Sequence, residues 1–198
     1  MMKFLLPGLA ATLLLASCET KHSETKDQLG EAGQDTAVMA RDGQSASQMA
    51  GDAWDMTKAK LGDVKFDEVS LPGVTVRGDS SYSVYSVDEA VLFDTDKAEI
   101  KSTAAASLQQ ITASIGKRYT TQQVRVMGFA DSRGDKSYNR ELSEKRAEAV
   151  KGYLVGTGKI DGARVSVEPM GESKPVATNA TAAGRQENRR VEIAVRTR

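Results

Sequence analysis

Hydrophobic and polar positions along this 198-residue chain fall into three regimes. From Phe4 to Leu15 the residues are almost continuously apolar. From Glu19 to about Lys60 large apolar residues are few and keep no steady period, so this stretch buries little surface. From Val64 onward two periods alternate. "VSLPGVTV", residues Val69 to Val76, alternates about Pro72-Gly73 and predicts a type II turn in a small hairpin. "SYSVYSVDEAVLF" predicts a strand ending at Phe93. In "DTDKAEIKSTAAASLQQITASIGKR" the positions Ile100, Ala104, Leu108, Ile111 and Ile115 follow the 3.6-residue period of a helix that closes at Gly116. Asp96, with Glu99 three residues on, has the form of a capping box and predicts the start of that helix.

"QQVRVMGFAD" returns to strand, with Val124 and Val126 on one face. A second helix is predicted from about Asp135 to Val155, its apolar stripe formed by Leu142, Ala149, Val150, Tyr153 and Leu154. "ARVSVEPMG" predicts a strand and "TAAGRQENRR" a short helix or turn. "RRVEIAVR" predicts a last strand with Val191, Ile193 and Val195 inward. Strands alternating with helices predict an α+β domain of about 110 residues, a mixed sheet packed against helices. The expected organisation is an N-terminal segment 1–17, a flexible linker 18–62, a small β extension 63–87 and the main domain 88–198. Within the linker, "DAWDMTKAKLG" is long enough only for a short, weak helix around Trp54. About 44 residues of flexible coil span roughly 35–40 Å on average.

The first apolar regime has one Lys before it and small residues after it. It reads as a secretory signal peptide, too short for a spanning helix. "Leu15-Ala16-Ser17-Cys18" resembles the lipobox of bacterial lipoproteins, which are cut before the cysteine and lipidated on it. Cys18 is the chain's single cysteine, so no internal disulfide is open to it, and acylation would use an otherwise stray thiol. Loss of residues 1–17 removes Lys3 and leaves 26 basic against 27 acidic groups. That balance gives no electrostatic footprint for nucleic acid.

Charge is densest in "GFADSRGDKSYNRELSEKRAEAV", Gly128 to Val150. Together with "VLFDTDKAEIK", "MGESKPV" and "RQENRRVEIAV", this stretch resembles the OmpA-like domain of peptidoglycan-associated lipoproteins and outer-membrane proteins. The resemblance runs from about Asp88 to Arg196, with the motif blocks in family order. It implies a βαβαβ-type domain and non-covalent binding of peptidoglycan, without a cofactor. It also implies that Asp131 and Arg146 grip the diaminopimelate of the peptide stem. Asn139 and Leu142 match pocket positions, Phe93-Asp94 matches the loop after the first strand, and Arg189 matches an arginine near the same site. This chain has Gly128-Phe129-Ala130-Asp131 where the family often has Gly-His-Thr-Asp, so the Thr hydroxyl is missing. Phe129 stands in place of the His on a strand, where successive side chains face opposite ways, and the exchange is expected to be tolerable.

The residue types suit that ligand. Diaminopimelate carries an ammonium and a carboxylate on one short arm. A guanidinium meets a carboxylate with two parallel hydrogen bonds, and an aspartate accepts from an ammonium. Asn139, Leu142 and Arg146 stand at i, i+3 and i+7, on one side of a helix. The residues alone leave second readings open: Asp131 and Arg146 as a plain ion pair, Asn139 as a helix cap, Leu142 and Phe93 as core, Asp94 as a turn-former. Arg140, Glu141, Glu144, Lys145 and Glu148 read as a solvated helix face.

Three other functions compete with this one. The only histidine, His22, lies in the linker, so no Ser/His/Asp, Cys/His or zinc-ligand set is available to a hydrolase. An eight-stranded barrel needs about 72–88 residues in strands, more than the chain offers before the domain. An envelope lipoprotein acting mainly through protein contacts is the alternative that the altered Gly-Phe-Ala-Asp keeps open. Arg133-Gly134-Asp135 and Arg77-Gly78-Asp79 fit ordinary turns. The expectation is an outer-membrane lipoprotein, lipid-anchored with its domain in the periplasm, partnered by peptidoglycan and with no nucleic-acid partner. Glu19 after the cysteine, rather than the Asp that often signals inner-membrane retention, supports the outer membrane.

Overall fold

The computed structural model describes residues 54–198. The expected signal peptide, Cys18 and most of the linker lie outside the described residues. Six strands form one sheet: β1 (Gly62–Asp63), β2 (Val74–Gly78), β3 (Tyr82–Asp88), β4 (Val124–Phe129), β5 (Val165–Gly171) and β6 (Arg190–Arg196), in the order β1-β2-β3-β6-β4-β5. Only β4 and β5 pair in parallel; the other neighbours are antiparallel. Among the described residues four α-helices accompany them: α1 (Glu89–Leu92), α2 (Ala105–Arg118), α3 (Lys136–Gly156) and α4 (Ala182–Asn188). The mixed sheet with helices is the α+β arrangement that the alternating periods predict.

The period of two decides which side of the sheet each residue joins. Tyr85, Val87, Val124, Val126, Val191, Ile193 and Val195 point to the helical layer and bury against Leu108, Ile111 and Ile115 of α2 and Ala147, Val150 and Leu154 of α3. Fully burying one such aliphatic side chain contributes about 1.5–3 kcal/mol. Tyr82, Val84, Met127, Phe129 and Ala194 face the other way and form a second cluster with Trp54. β4 is buried along its whole length because it is covered on both faces.

Five expectations are corrected. The linker was expected to run to residue 62, but Trp54 is buried, stacks on Tyr82 at 5.9 Å and lies 4.7 Å from the Arg125 guanidinium. Segment 63–87 is no separate extension, since β3 is an inner strand paired along its length with β6. Pro72-Gly73 does form a turn, with Gly73 at φ +76°, but residues before it are not a strand; the hairpin is β2–β3, closed at Asp79, whose carboxylate accepts from the Ser81 and Tyr82 amides. β3 ends at Asp88 rather than Phe93, and Asp96 caps nothing: it has φ +57°, and the helix begins six residues later with a 3-10 turn at Ser102–Ala104. Phe93 and Ile100 instead form an isolated antiparallel bridge that pinches the intervening residues into a loop.

α3 starts where the sequence places it. The Asp135 side chain accepts from the Ser137 and Tyr138 amides, satisfying two of the helix's orphan donors. Gly128 lets α3 sit directly on β4, since a Cβ there would lie 2.1 Å from the Ser143 carbonyl oxygen.

Candidate functional site

One end of the sheet opens into a cleft of about 500 Å³. Four pieces of chain converge on it: the end of β3 with α1, the loop after Phe93, the segment after β4, and the first half of α3. β4 carries a register shift against β5 at Gly128/Phe129, immediately before the chain turns into the cleft. Such irregularities re-aim the residues that follow them. Ala130 and Asp131 line the cleft, while Phe129 faces away beneath the Arg190 guanidinium, 3.8 Å from its ring centre. The position where the family often carries His therefore lies on the other side of the sheet from the cleft.

The cleft's charged side chains form an alternating row. Asp131 Oδ2 accepts from Arg189 Nη1 at 2.6 Å, Arg189 Nε donates to Glu89 Oε2 at 2.5 Å, and Glu89 Oε1 pairs with Arg146 Nη2. Glu89 and Asp131 are almost fully enclosed, and the Arg146 side chain is 4% exposed. Buried charges of this kind persist only when paired and hydrogen-bonded. Arg146 and Asp131 therefore do not form the direct ion pair that the sequence left open. Arg189 and Glu89 stand between them.

Capacity differs along the row. Arg189 uses all three nitrogens, the third on Gln186 Oε1 at 2.6 Å. Arg146 donates Nε to the Lys97 carbonyl at 2.9 Å, its buried Nη2 meets Glu89 as an ion pair without a hydrogen bond, and among the described residues its Nη1 shows no protein contact. Asp131 accepts one hydrogen bond on each oxygen, from the Arg133 amide at 2.8 Å and from Arg189, leaving a lone pair on each. The two ends of the row thus keep spare capacity, an acceptor at one and a donor at the other, while Arg189 between them has none.

Burial raises the Asp131 carboxyl, but the Arg133 amide and the Arg189 guanidinium outweigh it and hold the group below the ordinary aspartate value. For Arg189, burial works against the charge, and its bonds to Asp131 and Glu89 overcome it and push the guanidinium higher.

The supporting shell is local. Asn139 Nδ2 donates to the Arg133 carbonyl at 2.7 Å, the Glu172 carboxylate at 3.0 Å and the Asp131 carbonyl at 3.3 Å, so it fixes the loop that carries Asp131 rather than capping α3. Gly134, with φ +92°, turns that loop in a conformation few other residues adopt. The Arg146–Lys97 bond holds the 94–97 loop against the cleft, where Thr95 and Asp96 line it.

Of the residues expected from the sequence, Asp131, Asn139, Leu142, Arg146 and Arg189 share this cleft. Phe93 does not line it: it is core, with the Arg146 guanidinium 5.4 Å from its ring centre. Asp94 is exposed, pairs with Lys97 at 3.5 Å and lies outside the cleft lining. Glu89 was missed. Its signal was present, because Tyr85, Val87 and Glu89 share one parity and a carboxylate on a core-facing position demands cations. Among the described residues, no group of three His, Cys, Asp or Glu side chains could hold a metal ion.

Residues 92–189 match the model of the OmpA family. Outer membrane porin F of Pseudomonas aeruginosa is 44% identical over 112 residues, covering 57% of this chain and 32% of the porin. The probable lipoprotein YiaD of Escherichia coli is 34% identical over 139 residues, covering 70% of this chain and 61% of YiaD. The chain thus spans less than two thirds of these curated relatives. A solved structure of the cell wall anchor of the T6SS from Pseudomonas aeruginosa superposes with a TM-score of 0.58 at 34% identity, over 64% of this chain and 89% of that one.

Proposed function

Because this chain belongs to the OmpA family, we propose that it is an envelope lipoprotein whose folded body binds peptidoglycan without covalent attachment. Cys18 carries the lipid, the outer membrane holds it, and the linker spans the gap to the wall. The ligand is the diaminopimelate arm of the stem peptide. The observation that carries this reading is the unequal capacity of the charged row. Asp131 has free lone pairs for an ammonium, Arg146 has an open nitrogen for a carboxylate, and the two inner charges, Arg189 and Glu89, hold them in place. The relatives add support: one is named a lipoprotein and another anchors a secretion system to the cell wall.

Roles then divide. Asp131 and Arg146 touch the ligand, Leu142 provides a half-buried apolar wall, and Arg189, Glu89 and Asn139 position. Ala130 presents no hydroxyl where the family often has one, which predicts weaker binding of the same ligand class. No chemical step is assigned: an acceptor and a donor fixed in a cleft bind, and nothing in the row activates a nucleophile.

Co-sedimentation with purified diaminopimelate-type peptidoglycan tests the reading. The wild-type chain is expected in the pellet, and Asp131→Ala and Arg146→Ala in the supernatant. Wild type that stays in the supernatant would replace wall binding with the alternative, a lipoprotein acting through protein contacts. Cys18→Ser is expected to leave the membrane fraction; its retention there would remove the lipid anchor from the proposal.

A further inference from the structure

Glu89 is the unassigned member of the charged row, and the charge count of the cleft gives it a role. Three guanidinium groups line the cleft, those of Arg133, Arg146 and Arg189, and three carboxylates, those of Glu89, Asp96 and Asp131. The lining is neutral as a whole. Its two spare valences, on Asp131 and Arg146, are of opposite sign, so its best occupant is a zwitterion with no net charge. Glu89 is the carboxylate that makes this balance. It stands between Arg146 and Arg189, one guanidinium on each of its oxygens, with its side chain only 11% exposed. Without it, Arg146 and Arg189 would face the cleft with one uncancelled positive charge in a site shielded from solvent, where a unit charge acts strongly.

We propose that Glu89 is a specificity-determining residue, which makes the cleft select a stem-peptide arm carrying both ammonium and carboxylate over an arm carrying carboxylate alone. This rests on the wall-binding reading above. Glu89 acts without touching the ligand: it cancels the excess cation that would otherwise reward any anion.

The test uses three soluble tripeptides that differ only at the third residue. The first ends in diaminopimelate, with both groups on its arm. The second ends in 2-aminopimelate, with the carboxylate alone, and the third in lysine, with the ammonium alone. Affinities are measured by calorimetry at low ionic strength. Wild type is expected to bind the diaminopimelate peptide most tightly. Glu89→Gln keeps the size of the side chain and one of its two accepting oxygens, and is expected to reduce the preference for diaminopimelate over aminopimelate by about tenfold. A purely structural role would weaken all three peptides alike and leave the ratio unchanged, which overturns the inference.

Asp96→Asn guards against a Glu89 variant that fails to fold. Asp96 is exposed and sits at φ +57°, a conformation that Asn adopts readily. Its loss removes a rim anion and is expected to shift the ratio in the same direction by a smaller factor. If Glu89→Gln is unfolded and Asp96→Asn leaves the ratio untouched, the inference is overturned. Wild type that binds none of the three overturns the wall-binding reading and this inference with it. Wild type that selects diaminopimelate, with variants that select it equally well, overturns this inference alone.

Discussion

Lys145 and Arg146 are neighbours on α3, and each has an acidic partner. Lys145 reaches Glu141 at 2.7 Å, with both side chains more than 60% exposed. Arg146 meets Glu89, 57 positions earlier in the sequence, with both side chains nearly enclosed. The first pair exchanges water for a flexible contact and contributes about 0–1 kcal/mol. The second cannot return to water without leaving a buried charge, so removing one partner costs about 3–5 kcal/mol. Adjacent letters of the same charge therefore perform different work, and the helix's rotation decides which.

The comparison can be broken from its strong side first. Arg146→Ala is expected to lower unfolding free energy by about 3–5 kcal/mol in a denaturant titration, besides abolishing wall binding. Gly128→Ala tests what brings α3 down onto β4. Its Cβ must displace the Ser143 backbone, so a loss of about 1–3 kcal/mol and a distorted cleft are expected, read by melting temperature and peptide affinity together. Glu141→Gln, on the weak side, should change stability by no more than about 0.5 kcal/mol and leave binding intact.

The smallest effect concerns pH. Glu68 is held at about 2 by its hydrogen bond with Arg118, backed by a backbone bond and Ser114. A carboxyl depressed in the fold stabilises it above the group's unfolded value and loses that contribution as pH falls toward the folded one. Its stabilising contribution is therefore complete at neutral pH and fades between about 4.5 and about 2. An NMR titration should place the Glu68 carboxyl midpoint near 2; a midpoint at the ordinary glutamate value would dissolve this bridge. Asp131, also held low, follows the same sign, so the cleft's charge pattern is expected to survive mild acid.

How much of this was legible depends on whether the information was local. β4, α3, β5 and β6 announce themselves through period and caps: Asp135 at the start of α3 and the Val191-Ile193-Val195 alternation needed no partner to be read. The stretch from Glu89 to Lys101 failed because its conformation is set from elsewhere. Glu89 is drawn to Arg146 and Arg189, the Glu89 amide donates to the Arg189 carbonyl, and Arg146 reaches over to the Lys97 carbonyl. No window of adjacent residues contains those arginines. Trp54 was read as linker for the same reason, since its partners Tyr82 and Arg125 lie 28 and 71 positions away along the chain. Asp131 and Arg146 were identified by motif, but their separation by an intervening pair was visible only in three dimensions.

The docking of Trp54 has a mechanical meaning. It packs on Tyr82, the first residue of β3, while Glu89 and the cleft follow the last residue of that strand, roughly 20 Å away at the usual rise per residue. A pull between residue 54 and a ligand held in the cleft therefore runs along β3 and slides it against β6. Seven residue pairs join those two strands in register. Their ladder is loaded in shear, all rungs together, rather than unzipped one at a time.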